Sequence, residues 1–257
     1  MAHKPGTALI TGAARGIGQV TALLLAGQGL RVGLADLNPA VSETAGKILA
    51  SGGEAMAVEM NVGDPAGIND LVETIVEAFG PIDILINNAG IVNNIAPIEK
   101  MSDEAWDREL NINLSGAFRL IRKVVGPMAE QGWGRIVNIS SIGAYGLHYQ
   151  SAYAASKAGL LGLTRTVTKE FASSGVTCNA ILPGIIETEN VRAMPEEIRE
   201  TFLAATPAGR FGTMAEVASL IAYLVSEEAG FINGAEINID GGLQLGNVSL
   251  GSRKANR

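Results

Sequence analysis

Residues 7–18 read Thr7-Ala8-Leu9-Ile10-Thr11-Gly12-Ala13-Ala14-Arg15-Gly16-Ile17-Gly18. The first five form a short β-prone run. Three glycines follow, and then an amphipathic segment, Gly18–Gln28. A strand, a glycine-rich turn and a helix in that order make a βα unit suited to an anionic ligand at the helix N-terminus. The glycines permit a tight turn and let backbone N–H groups approach a pyrophosphate. The spacing is Gly-x-x-x-Gly-x-Gly, and a glycine-rich loop alone also occurs in ordinary strand–helix turns. Its weight here comes from being the first such turn of an alternating chain.

That alternation runs to the end. Further strands are expected at Arg31–Ala35, Ala55–Met60, Ile82–Asn87, Arg135–Ser140, Val176–Leu182 and Glu236–Ile239. Helical segments are expected at Val41–Ala50, Ala66–Phe79, Asp103–Met128, Ala152–Ala172 and Ala215–Ser226. Strands joined by helical crossovers imply a parallel sheet, and nearly all-apolar strands such as Ile82–Ile86 imply one covered on both faces. The expected fold is α/β, a single Rossmann-type doubly wound parallel sheet of about seven strands, with 1–257 as one domain. Residues 183–207 read as a long connection, with prolines at 195 and 207, of the kind that forms a binding loop or lid. Residues 244–257 read as a polar tail.

Composition excludes several classes. The chain has 257 residues, 47% hydrophobic and 18% charged, which is a globular composition. A net charge of −7 disfavours nucleic acid as a partner. No apolar stretch reaches the roughly 18 residues of a membrane helix, and no targeting segment precedes Thr7. The single cysteine, Cys178, lies in an apolar run and reads as a buried thiol in a cytoplasmic protein. No metal is expected.

Asp36 ends the second strand. A carboxylate there can accept hydrogen bonds from ribose hydroxyls and would repel a 2′-phosphate, which favours NAD over NADP. A solvated loop aspartate or a helix cap is the plainer reading of the same residue. Arg15 pulls the other way, since an arginine in this loop can pair with a phosphate. Asn87-Asn88-Ala89-Gly90 closes the fourth strand with small residues that leave room for a ligand.

Tyr153 and Lys157 share one helix face at i, i+4 spacing. A nearby lysine cation is expected to favour the phenolate and lower the tyrosine pKa toward neutrality. Tyr-x-x-x-Lys alone is a common surface pair. Here it follows Thr11–Gly18, Asn87–Gly90, Asn113 in Asn111-Ile112-Asn113-Leu114, and Ser141 after Asn138-Ile139-Ser140. It precedes Pro183-Gly184 with Thr188, and Asp240-Gly241-Gly242.

With these motifs in order, the chain resembles the short-chain dehydrogenase/reductase family over roughly Thr7 to Gly242. The resemblance implies hydride transfer between NAD(H) and a secondary alcohol or ketone, such as a polyol or hydroxy acid. It makes Tyr153 the acid/base. Lys157 would tune Tyr153 and hold the nicotinamide ribose, and Ser141 would orient the substrate oxygen. Asn113 would kink its helix and hold a water on the proton path. The cofactor would lie on Gly12, Arg15, Gly16, Ile17, Gly18 and Asp36, with Asn61 and Val62 flanking the adenine. Asn88, Ala89 and Gly90 would line it from the fourth strand. Pro183, Gly184, Ile186 and Thr188 would reach the nicotinamide end.

Departures from the family pattern are Asn61 where aspartate is commoner, Asn233-Gly234 for Thr-Gly, and a Ser141–Tyr153 interval one residue shorter than is common. Ser140 competes with Ser141 for its role. Substrate positions are expected at Asn93, Asn94, Gly143, His148 and Gln150, beside Ser141 and Tyr153, with Tyr145, Tyr149, Glu187 and Met194 near them. The family alternative is an NADPH-dependent 3-oxoacyl-carrier-protein reductase. Asp36 speaks against its cofactor, and Gly132 and Ser174 stand where such enzymes often carry arginine. An alternative of another class is a non-catalytic dinucleotide-binding protein, against which the joint presence of Asn113, Ser141, Tyr153 and Lys157 argues. An isomerase or epimerase would be longer. The resemblance also implies a homo-oligomer, tetramer or dimer.

Overall fold

Seven β-strands lie parallel in one sheet in the computed structural model, which describes residues 6–93 and 95–246. They are β1 (Thr7–Thr11), β2 (Arg31–Asp36), β3 (Ala55–Glu59), β4 (Ile84–Asn87), β5 (Gly134–Ile139), β6 (Val176–Pro183) and β7 (Glu236–Ile239). Their order across the sheet is β3-β2-β1-β4-β5-β6-β7. The helices are α1 (Gly16–Gly27), α2 (Val41–Ala50), α3 (Pro65–Phe79), α4 (Asp103–Leu110), α5 (Gly116–Gln131), α6 (Ser151–Phe171), α7 (Glu189–Arg192), α8 (Glu196–Ala205) and α9 (Met214–Leu224).

The period of two along each strand feeds two cores. Ile10, Leu34 and Ile86 pack against one helical layer with Leu25 of α1, Ile48 of α2 and Ile221 of α9. Leu9, Leu85 and Ile136 pack against the other with Leu71 of α3, Val124 of α5 and Val167 of α6. Covering both faces is why the strands read as unbroken apolar runs. Leu85 has no solvent exposure, and shortening it to alanine would cost about 2–5 kcal/mol.

Local signals set the helix starts. Asp64 accepts the N–H of Ala66 with Pro65 behind it, and Thr213 and Glu216 form a reciprocal capping box at α9. From β1 the chain winds outward to β3, then returns to lay β4 on the other side of β1. The crevice outside the carboxyl ends of β1 and β4 is the topological switch point, where ligands bind in such sheets.

Three expectations change. The fourth strand begins at Ile84, because Asp83 is taken up by Thr7, whose backbone N–H donates to its carboxylate at 2.8 Å. The helix expected over Asp103–Met128 is two helices joined by a π-helical turn at Asn111–Ser115. The side chain of Asn113, inside that turn, bonds to a neighbouring segment. The connection 183–207 is largely helical, holding α7 and α8, with Pro195 capping α8. Asn94 and the tail beyond Gly246 lie outside the described residues.

Candidate active site

The glycine loop is fixed by its own sterics. Gly12 and Gly16 have φ of 66° and 64°, a region that disfavours side chains. A Cβ on Gly18 would lie 2.1 Å from Gly12 O. Asn88 holds this loop from the adjacent strand: its Nδ2 donates to Thr11 O at 2.9 Å and Gly12 O at 3.0 Å. In return Thr11 Oγ1 accepts the N–H groups of Asn88 and Ala89. The Asn88 side chain is therefore a staple between β1 and β4. Across the crevice, a Cβ on Gly16 would reach Thr188 Cγ2 at 3.9 Å, so the loop after β6 borders the same space.

Asp36 stands at the end of β2. Its Oδ2 accepts the N–H of Ala14 at 2.9 Å and its Oδ1 that of Asn38 at 2.9 Å. Arg15 is exposed at the start of α1. Asn61 is exposed and its Oδ1 accepts the N–H of Gly63, while Val62 is buried against Gly116. Pro183 ends β6, Gly184 packs on Asp240, and Ile186 is buried and bridges to Gly212. Ile17 packs on the core at the start of α1, and a Cβ on Gly90 would lie 3.2 Å from Lys157 Nζ. A cradle in which Gly12 and Gly18 leave no room for a Cβ, with backbone amides at a helix start, fits a dinucleotide.

The reacting end sits where β5 meets α6. Tyr153 and Lys157 lie in the first two turns of α6, and Ser141 follows β5. The Tyr153 hydroxyl hydrogen-bonds the Ser141 side chain, and Ser141 Oγ also accepts the N–H of Gly143 at 3.0 Å. Ser140 is buried and its hydroxyl donates to Lys157 O at 2.8 Å, so the second serine of the pair is the one at Tyr153. Lys157 is buried, with Nζ donating to Ile139 O at 2.7 Å and lying 5.7 Å from the Tyr153 ring centroid. Asn113 exchanges two hydrogen bonds with Ile91 and donates to Ser156 Oγ at 3.2 Å, while Ser156 donates to Tyr153 O.

Electrostatics depart from the sequence expectation that Lys157 draws the Tyr153 pKa down. Burial pushes Tyr153 above its ordinary value, the Ser141 hydrogen bond opposes that, and the charge of Glu109 adds to it. Burial also lowers Lys157 from 10.5 to about 8. The desolvated ammonium is directed at Ile139 O, and the neutral tyrosine is the favoured form.

The expected substrate positions divide. Gly143 is buried beneath the tyrosine, where a Cβ would lie 2.9 Å from Tyr153 Cε1. Asn93 and His148 are exposed at the mouth, His148 tilted against Tyr149, and Gln150 is half-buried just before α6. Tyr149 has φ of 63°, the only non-glycine with positive φ among the described residues, and its carbonyl accepts the N–H of Ala96. Glu187 faces Arg192 and Arg199 at 3.8 Å. Sequence reasoning passed over Glu109, Thr11 and Ser156. A charged residue on the inward stripe of a helix was the available signal for Glu109. Among the described residues no three His, Cys, Asp or Glu side chains gather as a metal site, and no helix is long and apolar enough to cross a membrane.

A nucleotide cradle at the switch point and a Ser–Tyr–Lys group beside it define a dehydrogenase site on a Rossmann-type fold. The chain belongs to the short-chain dehydrogenase/reductase family, and is an oxidoreductase of carbonyl and hydroxyl groups. The family model described as enoyl-(acyl carrier protein) reductase matches residues 12–244. The chain is 44% identical over 243 residues to the 3-oxoacyl-[acyl-carrier-protein] reductase FabG of Thermotoga maritima, covering 92% of this chain and 97% of that one. It is 40% identical over 241 residues to the Escherichia coli enzyme of that name, with 93% and 97% covered. Among solved structures, levodione reductase superposes with a TM-score of 0.89 at 35% identity, covering 93% of this chain and 98% of that one. A short-chain type dehydrogenase/reductase from Mycobacterium ulcerans superposes at 0.90 and 29% identity, with 96% and 92% covered.

Proposed function

We propose that this chain interconverts 3-oxoacyl and 3-hydroxyacyl thioesters and takes NAD(H) as its dinucleotide. The observation that carries the chemistry is the Tyr153 hydroxyl, hydrogen-bonded to Ser141 and kept neutral by burial. A neutral tyrosine is the form that can give a proton to a carbonyl oxygen becoming a hydroxyl. Ser141 holds that oxygen, Lys157 lies behind the tyrosine ring, and Asn113 fixes the backbone at Ile91 and Ser156 at the foot of the site. When bound, the nicotinamide dinucleotide supplies the hydride. Gly12, Gly16, Gly18 and the carbonyl end of β4 would hold it.

The thioester substrate is supported by the full-length relatives named 3-oxoacyl-carrier-protein reductases, and this replaces the polyol or hydroxy acid favoured by the sequence alone. NAD(H) is supported by Asp36, whose negative charge would face a 2′-phosphate. In this reading the protein works in the cytoplasm as a homo-oligomer, with Trp106 and Phe118 exposed on α4 and α5 as candidate contacts.

A second reading, a small free ketone, is favoured by one observation. Gly132 is exposed and Ser174 half-buried, and neither offers a cation to an acidic carrier protein. The test is NADH and NADPH oxidation with acetoacetyl thioesters of coenzyme A and of acyl-carrier protein, beside small cyclic diketones. Higher kcat/KM for a thioester supports the proposal, and turnover confined to the small ketones overturns it. Tyr153→Phe should lower kcat about 10²–10⁴-fold on the true substrate.

A further inference from the structure

Glu109 lies on α4 between the active site and solvent-facing neighbours. It is 1% exposed, whereas Asp107 and Arg108 beside it are exposed. Its Oε1 accepts the N–H of Asn93 at 2.8 Å. Two residues earlier in the same segment, the N–H of Ile91 goes to Asn113 Oδ1 at 2.8 Å, and Asn113 Nδ2 returns a bond to Ile91 O at 2.9 Å. Two buried side chains four residues apart thus hold alternate residues of the stretch that leaves β4. The far end of that stretch is tied to the loop before Tyr153 by Ala96 N–H to Tyr149 O at 2.8 Å.

We propose that Glu109 is a positioning residue of the active site: with Asn113 it clamps the pocket edge at 91–93, and it places a negative charge within electrostatic reach of Tyr153. Its own helix also carries Asp103, Glu104, Asp107 and Arg108, while Tyr153 and Lys157 lie on α6, which packs against α4, and His148 and Tyr149 lie on the loop before α6. Of these, Tyr153 is the one on which its charge registers, disfavouring the phenolate. The carboxylate therefore holds Tyr153 protonated to higher pH and makes its hydroxyl a weaker acid. The inference rests on Tyr153 as the family's proton donor and is independent of the thioester reading.

Two variants separate the clamp from the charge. Glu109→Gln keeps an acceptor for Asn93 and removes the charge, while Glu109→Val removes both. The ultraviolet tyrosinate titration of each protein, less that of the same protein carrying Tyr153→Phe, reads the Tyr153 pKa without any substrate. It should fall in Glu109→Gln, because the charge that disfavours the phenolate is gone. With any ketone that is turned over, Glu109→Val should raise KM several-fold more than Glu109→Gln does. A Tyr153 titration unchanged in Glu109→Gln overturns the electrostatic role. Equal KM in the two variants overturns the clamp. If Glu109→Val does not fold, the Glu109→Gln titration decides on its own.

Discussion

Asp36 Oδ2 accepts the backbone N–H of Ala14 at 2.9 Å, so the carboxylate at the end of β2 is bonded into the glycine loop that follows β1. Its charge and its bond can be separated. Asp36→Asn keeps an acceptor for Ala14 and removes the charge, while Asp36→Ala removes both. In each, the ratio of kcat/KM for NADPH over NADH should rise about tenfold or more, equivalent to about 1.4 kcal/mol. An unchanged ratio in both would place the cofactor selector elsewhere.

Gly18 permits no side chain, since a Cβ would stand 2.1 Å from Gly12 O and 2.6 Å from Asn88 Nδ2. Gly18→Ala must therefore push the loop off its staple. We expect stability to fall by about 1–3 kcal/mol in urea unfolding. Dinucleotide affinity, read by NADH fluorescence, should fall about tenfold or more, because the same amides would lose their alignment. Wild-type affinity in this variant would show that the loop is not the phosphate cradle.

Lys157 ionises near pH 8 when folded, against 10.5 ordinarily, because burial opposes its charge. Between those values the unfolded chain binds more protons, so stability rises with pH across that window. Lys157→Met should flatten the rise, a difference on the order of 3 kcal/mol between its ends. The buried Cys178 thiol, raised to about 12, acts in the opposite sense above pH 9 and cancels in the comparison. Parallel pH–stability curves for the two proteins would contradict the buried-cation picture.

The Cys178 thiol is fully buried, with Asn138 Nδ2 3.6 Å from its sulfur. It should be silent to thiol reagents in the native protein and react stoichiometrically on unfolding. Reaction at native rates comparable to a free thiol would refute its place in the core.

Much of this molecule was written in short-range patterns. All seven strands were legible, because a sheet covered on both faces needs unbroken apolar runs such as Ala8–Ile10 and Ile84–Ile86. The Tyr153–Lys157 pair was legible through helix periodicity. What stayed hidden depends on groups distant in sequence. The break at Asn111–Ser115 needs Ile91 as partner to Asn113. The upward pull on Tyr153 comes from burial and from Glu109, neither of which the i, i+4 spacing contains. α8 escaped notice because it buries no residue fully, so no apolar stripe marks it, although Pro195 and the acidic first turn at Glu196 and Glu197 were start signals.

The staple from Asn88 to Thr11 and Gly12 spans 77 and 76 residues of chain. The nucleotide loop is therefore not a self-sufficient peptide. Its shape awaits a strand made three secondary-structure crossovers later, and such long-range closure is slow to form. A ribosome that has released only the first βα units carries a loop of the right sequence without its fastening. Competence to bind a nucleotide should consequently appear as a step during synthesis, once β4 has emerged and seated beside β1.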